Sequence, residues 1–122
     1  MASMTAEGTH DLVSANLVAG TFVFNREGEK LGSIEDLILE KETGQVAYVL
    51  LSFGGFLGMG ERCFPVPWRA LSFDDARDAY VVDLTKESLE KAPRCHANAC
   101  EPLRDHTRHQ EIYTYYGVSP LW

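Results

Sequence analysis

The sequence predicts a mainly β domain, a small antiparallel β-barrel followed by a C-terminal helical and aromatic arm. Short segments rich in β-branched and aromatic residues follow one another between residues 21 and 83. The turns between them are short and contain glycine or asparagine, which favours an antiparallel meander over βαβ units. The segment from residue 94 onward differs in composition, because it holds three of the four histidines and a cluster of aromatic residues.

Five segments have the composition of strands, and the third of them carries apolar residues at alternating positions on both faces, which predicts burial on both sides. The strands are predicted at residues 21–24, 31–41, 45–53, 61–66 and 79–83. In the second strand, simple alternation places Ile34 and Ile38 on one face and Leu37 and Leu39 on the other. Since both sets are apolar, one of them is expected to cross a β-bulge.

The connections after the fourth strand are short. Pro65 and Pro67 place at least the end of that strand at a sheet edge, because proline cannot donate to a strand ladder. Residues 67–71 are predicted as a turn or a single helical turn. Thr85 is expected to cap a short helix at residues 86–91, ahead of Pro93.

The arm is predicted to contain a helix at residues 103–116 that ends at Gly117. Ile112, Tyr115 and Tyr116 have the i, i+3, i+4 spacing of one helix face. Such an arm either wraps over its own barrel or docks on a neighbouring subunit.

A chain of 122 residues is long enough for one domain with one hydrophobic core. We divide it into a disordered N-terminus at 1–13, a barrel domain at 14–93 and the arm at 94–122. Lys and Arg number 11 against 18 Asp and Glu, a formal charge of −7. That balance repels phosphate backbones and argues against direct nucleic-acid binding.

The location is predicted from what the sequence lacks. The first residues have no basic region followed by an apolar core, so no secretory signal is predicted. The longest apolar run, at residues 46–51, is far shorter than the roughly 20 residues of a transmembrane helix. The three cysteines are an odd number, which fits a reducing compartment better than a disulfide framework. We therefore expect a cytoplasmic protein.

An ordered set of short motifs between residues 18 and 93 resembles the PRC-barrel family. The motifs are GEKLGSIEDL at 28–37, TGQV at 43–46, YVLL at 48–51, FPVPW at 64–68 with Leu71, and VVD at 81–83. The glycine-rich segment 52–60 and the aromatic tail are similar to a bacterial single-domain branch of this family. The founding members of the PRC-barrel family are the cytoplasmic-side domain of the photosynthetic reaction centre H subunit and the C-terminal domain of a ribosome-maturation protein.

The resemblance implies a small β-barrel that acts as an interaction or assembly module, with no shared set of catalytic residues. We therefore expect a non-enzymatic protein without a cofactor. Glu35, Asp36 and Glu40 lie close together in one strand, but with no histidine or nucleophile pattern beside them they are interpreted as a solvated acidic face.

Two candidate interaction surfaces follow from exposed apolar residues. Phe56, Leu57 and Met59 are large apolar residues on the glycine-rich segment 54–60, which lacks the Lys-Ser/Thr of a phosphate-binding loop. The alternative to an interaction surface is that this segment is only a hairpin loop. Trp68 follows Pro-Val-Pro and is expected to plug the barrel end; stacking on a base or ligand is the alternative.

The second candidate surface is the arm, at Tyr115, Tyr116 and Trp122. These aromatic residues are expected to pack against protein. A membrane-interface belt is the alternative, and the absence of a basic amphipathic surface argues against it.

The arm also holds a group of thiolate and imidazole residues, Cys95, His96, Cys100, His106 and His109. We interpret them as solvated tail residues. The alternatives are a structural zinc site, for which the spacing is irregular although His106 and His109 would share a helix face, and redox sensing by the two thiols.

The sequence thus predicts a non-enzymatic assembly module that forms a homodimer and binds a protein partner of unknown identity. An adaptor at a ribosomal or photosynthetic membrane complex, and a metal or redox sensor that uses the Cys/His tail, remain as alternatives.

Overall fold

The computed structural model describes residues 12–53, 62–93 and 105–122 of the chain. Within them it contains three helices and six strands, with a 3-10 turn at Trp68–Ala70. The helices are α1 (Ala15–Val18), α2 (Lys86–Glu90) and α3 (His106–Tyr115). The strands are β1 (Phe22–Phe24), β2 (Lys30–Leu39), β3 (Val46–Phe53), β4 (Arg62–Pro67), β5 (Leu71–Asp74) and β6 (Ala79–Val82).

The six strands form one mixed sheet in the order β4-β3-β2-β1-β6-β5, curled into a half-barrel. The curl follows from the connectivity: β4 and β5 stand at opposite ends of the strand order, yet only the three residues of the 3-10 turn join them. The predicted mainly β fold is therefore confirmed. Prolines at 65 and 67 lie in β4, an end strand, as predicted.

Two details of the predicted barrel are wrong. The segment after the 3-10 turn continues into β5, so the described residues form six strands where five were predicted. β5 and β6 form a hairpin that returns the chain to β1, and β6 then pairs with β1 in parallel, through Val23 opposite Tyr80. The sheet is therefore not purely antiparallel.

Two apolar clusters cover the two faces of β3. The interior cluster fills the concave side of the sheet and includes Val49 and Leu51 of β3. The outer cluster lies between the convex side and α3 and includes Tyr48 and Leu50. The predicted burial of β3 on both faces is confirmed.

A bulge in β2 exchanges the faces of its side chains. Ile34 pairs with Leu51 and Asp36 with Leu50, so Glu35 is the additional residue. Beyond the bulge Ile38 joins the outer cluster, whereas Ile34 belongs to the interior one. The expected bulge is confirmed, and the placement of Ile34 and Ile38 on one face is wrong because the bulge lies between them.

Candidate interaction surfaces

The arm helix α3 begins and ends at residues with clear capping roles. The Asp105 side chain accepts a hydrogen bond from the Thr107 backbone N–H at 3.0 Å. At the other end Gly117 has a φ of +72°, the left-handed conformation that terminates helices. The predicted helix is confirmed over His106–Tyr115, and its expected start at residue 103 lies outside the described residues.

The buried side of α3 consists of residues with i, i+3, i+4, i+7 spacing, namely His109, Ile112, Tyr113 and Tyr116. Tyr113 is fully buried and its hydroxyl donates to the Ala47 carbonyl at 2.6 Å. Burial raises the pKa of Tyr113 to about 12. Tyr113 therefore occupies the position on the buried face that was predicted for Tyr115, which lies outside this strip.

His109 is the centre of the contact between the arm and the sheet. Its side chain is fully buried, and Nδ1 lies 2.6 Å from the Tyr48 hydroxyl of β3. The backbone N–H of Leu121 donates to Nε2 at 3.0 Å, and because an N–H can only donate, the single imidazole proton must lie on Nδ1. Burial lowers the pKa of His109, with His106 acting in the same direction. The imidazole is thus held neutral.

The end of the chain closes over this imidazole. The Trp122 ring stacks on the His109 ring with centroids 3.5 Å apart and planes 18° from parallel, and it remains 43% exposed. Leu121 and Val118 pack against the outer cluster. The tail therefore folds back over its own sheet.

Tyr115 and Tyr116 lie on different sides of α3. The hydroxyl of Tyr115 donates to the Ser88 carbonyl of α2 at 2.6 Å, and its side chain is 40% exposed. Tyr116 is half-buried between the two clusters, and its buried hydroxyl has no hydrogen-bond partner among the described residues. The arm candidates thus do not form one continuous exposed patch.

The proposed metal ligands are only partly described. Cys95, His96 and Cys100 lie outside the described residues. His106 is exposed whereas His109 is buried, so the two do not share a face, and both nitrogens of His109 already have protein partners. In the described parts of the chain, no three His, Cys, Asp or Glu side chains are grouped to hold a metal ion.

The glycine-rich loop candidates, Phe56, Leu57 and Met59, also lie outside the described residues. Trp68 is described: it is half-buried, packs against the interior cluster and tilts onto the Tyr80 ring with centroids 5.4 Å apart. It lies in the 3-10 turn that joins the end strands, which is the position expected for a residue that plugs the barrel end.

Trp68 also forms part of an open apolar groove of about 870 Å³, which we call the α1–β5 groove. Its walls come from α1 and the residues before it, the 3-10 turn, β5 and β6. Four of its apolar side chains are more than half exposed: Leu12 by 92%, Leu17 by 68%, Val13 by 57% and Phe73 by 51%. Such a concentration of exposed apolar side chains is typical of a binding surface.

Carboxylates line one part of this groove. Asp75 and Asp78 are exposed, in the turn between β5 and β6. Asp78 has a φ of +53°, and its charge adds to burial in raising the pKa of Tyr80. Among the residues that the structure describes, the groove lining includes no Lys, Arg or His.

A second cleft, of about 460 Å³, borders the same turn and differs in its charge balance. Arg26 lies 3.6 Å from Asp83, and Arg77 lies 3.6 Å from Asp74. These four charges are paired within the chain. Asp75 lines this cleft as well as the α1–β5 groove, so among the described residues the cleft has one carboxylate without an ion pair and the groove has two.

Sequence reasoning missed the α1–β5 groove because it assigned residues up to 13 to a disordered terminus. A signal was present: Ser14 caps α1 by accepting from the Asn16 N–H at 3.2 Å, and apolar residues flank it at Leu12, Val13 and Leu17. A helix of one turn is too short for its periodicity to be recognised.

Comparison with known proteins agrees with this architecture. The PRC-barrel domain profile matches residues 10–89. An uncharacterized protein of Deinococcus radiodurans is 30% identical over 71 residues, which cover 58% of this chain and 25% of that protein. The chain thus spans about a quarter of the length of that relative. No helix in the described residues is long and apolar enough to cross a membrane. Because the profile covers well over half of the sequence, the chain belongs to the PRC-barrel family.

Proposed function

We propose that the protein is a non-enzymatic interaction module that binds a protein partner through the α1–β5 groove. The observation that carries this proposal is the exposure of Leu12, Val13, Leu17 and Phe73 around one groove. Within the described ranges, the groove lining holds none of the histidine, cysteine or lysine side chains that usually supply nucleophiles and bases. Family membership supports a binding role over catalysis, and we propose a cytoplasmic location.

Site-specific photo-crosslinking in the native host tests the groove. A photoreactive residue at Leu17 is expected to give a discrete adduct of defined mass. The matched control is Leu39 of β2, which is apolar and 51% exposed but does not line the groove. Equal adducts from both positions, or none from Leu17, would contradict the proposal.

We also propose that the protein forms a homodimer. β5 is an end strand of the sheet and carries no proline, so its outer edge can pair with a second chain. If instead the arm is exchanged between subunits, removal of residues 103–122 is expected to convert dimers into monomers in light scattering. A dimer that survives the truncation would refute arm exchange, and a monomeric full-length chain would refute the homodimer.

Two other roles start from the family and the tail. If the protein is an adaptor at a ribosomal or photosynthetic membrane complex, it should co-purify with components of that complex. Mutation of the groove should abolish this co-purification. A metal sensor would use Cys95, His96, Cys100 and His106, because both ring nitrogens of His109 have protein partners, and a redox sensor would use the thiols of Cys95 and Cys100. Substoichiometric zinc in elemental analysis of the purified protein would eliminate the metal form of that role.

A further inference from the structure

We infer that the partner segment bound by the α1–β5 groove is a positively charged amphipathic segment of another protein. This inference rests on the proposed function and adds the chemistry of the partner. It is argued from the apolar floor of the groove, its aromatic wall and its uncompensated carboxylates.

The floor of the groove requires an apolar contact. Leu12, Leu17 and Phe73 present side chains to solvent around a volume of about 870 Å³. Covering these side chains removes apolar surface from water, at about 25 cal/mol for each Å² buried. A partner segment therefore needs apolar residues along one face.

Beside that floor stands an aromatic wall. Tyr80 lies between Trp68 and Phe73, with ring centroids at 5.4 Å and 5.1 Å from its own. The face of an aromatic ring attracts a cation. The same sheet already uses this interaction, because the ammonium of Lys30 lies 4.1 Å from the centroid of the Phe22 ring.

The carboxylates make the groove negatively charged. Asp75 and Asp78 are exposed at the rim, and neither has an ion pair among the described residues. Because the described lining residues include no basic side chain and the chain has a formal charge of −7, the groove attracts lysine and arginine. Aromatic rings and carboxylates together favour a cation next to the apolar contact.

The same charges disfavour two other occupants. The chain's own residues 1–11 contain Glu7 and Asp11 and no lysine or arginine. A second copy that docks its α1 region symmetrically would bring two sets of Asp75 and Asp78 towards one another. Repulsion between like charges opposes both arrangements.

The test uses the full-length protein and two labelled peptides of about four helical turns, one of leucine and lysine and one in which glutamate replaces every lysine. Fluorescence anisotropy is expected to detect binding of the lysine peptide only. Asp75→Asn with Asp78→Asn should raise its Kd about tenfold at low salt, an effect that added salt reduces. Asparagine also tolerates the positive φ of residue 78.

The matched control neutralises two exposed acids on and beside β2, by Glu35→Gln with Glu42→Gln, and so changes the net charge equally. It is expected to leave the Kd within about twofold, since these sites lie outside the groove. If this control weakens binding as much as the Asp75 and Asp78 pair, the attraction is only the overall charge and the inference fails.

The outcomes separate the two proposals. Suppose that Phe73→Ser abolishes binding. If the lysine peptide then still binds normally to the Asp75→Asn, Asp78→Asn variant, or if the glutamate peptide binds to the wild type, the groove is the binding site but the inferred charge of the partner is wrong. If Phe73→Ser and Leu17→Ser leave binding unchanged, the groove itself is wrong. Sedimentation that shows a dimer broken by Leu17→Ser would assign the groove to a second copy and overturn the inference.

Discussion

The buried imidazole of His109 is expected to make the stability of the protein depend on pH. In the folded chain His109 is neutral, because its Nε2 accepts from the Leu121 N–H and burial lowers its pKa below the ordinary 6.5. The unfolded chain has the ordinary pKa and takes up a proton below it. Acid therefore favours the unfolded state.

The magnitude follows from linkage. Between the folded and unfolded pKa values the unfolded state binds one proton more, so the free energy of unfolding falls by at most about 1.4 kcal/mol for each pH unit below 6.5. The stability that the neutral imidazole contributes is fully present above the unfolded pKa and is lost as the pH falls below it. The groups around the imidazole are Tyr48 on β3, Tyr113 and His106 on α3, and Glu40 after β2. Glu40 alone opposes the shift, and burial outweighs it.

His109→Gln removes the titrating group and also contacts made by the ring. The Trp122 stack and the contacts with Tyr48 and Tyr113 are aromatic pairs worth about 0.5–1.5 kcal/mol each, and the hydrogen bond to Tyr48 adds about 1 kcal/mol. If these contributions add, we expect the variant to lose about 2.5–5.5 kcal/mol at neutral pH. That loss should shrink as the pH falls, because only the wild type has the proton-linked penalty.

Urea unfolding followed by tryptophan fluorescence, at a series of pH values above and below 6.5, measures both effects. Carboxylates and the other histidines contribute equally to both proteins and cancel in the difference. The matched control is His106→Gln, which removes an exposed imidazole one turn earlier on the same helix and is expected to retain most of the pH dependence, because burial is a larger cause of the lowered His109 pKa than His106 is. If the difference between wild type and His109→Gln is constant across the series, the imidazole is not held neutral and the reasoning is refuted.

Three further substitutions test the packing of the arm and the sheet by the same urea assay. Tyr113→Phe removes the hydroxyl that donates to a main-chain carbonyl of β3, and is expected to lose about 1–2 kcal/mol; an unchanged midpoint would contradict this. Gly32→Ala would place a Cβ against the backbone of Ser52 and should lose at least about 3 kcal/mol, whereas Gly44→Ala, in open space at a φ of +79°, should lose only about 1–2 kcal/mol. Equal losses at the two glycines would argue against the close approach at Gly32. Asp105→Ala removes the cap of α3 and should lose about 1 kcal/mol, with Asp105→Asn close to wild type as its control.

The sheet could be predicted because its strands carry local signals. The turn residues Gly28 and Gly44 have φ values of +87° and +79°, as glycines in tight turns do. The prolines of β4 marked an end strand because they cannot donate to a neighbour. Each of these properties belongs to a single residue and its immediate neighbours.

What the sequence could not supply was long-range. The parallel pairing of β1 with β6 joins residues that are far apart along the chain, and no local pattern specifies it. The burial of His109 depends on Tyr48 and Leu121, which the fold brings to its two ring nitrogens. The prediction that the tail histidines are solvated was wrong for His109. It was based on the polarity of the side chain, and the sequence does not show that Tyr48 and Leu121 lie beside the ring.

The two described candidate surfaces differ in what must be broken before a partner can bind. Exchange of the arm requires the loss of buried hydrogen bonds at Tyr113 and His109 and the exposure of the outer cluster. Its rate is therefore limited by local unfolding. Binding at the α1–β5 groove breaks no such contact, because Leu12 and Leu17 are already exposed. The carboxylates at the edge of the groove increase the association rate of a basic partner. Association at the groove should therefore rise with partner concentration and fall with salt. Exchange of the arm should approach a rate independent of concentration, which His109→Gln increases.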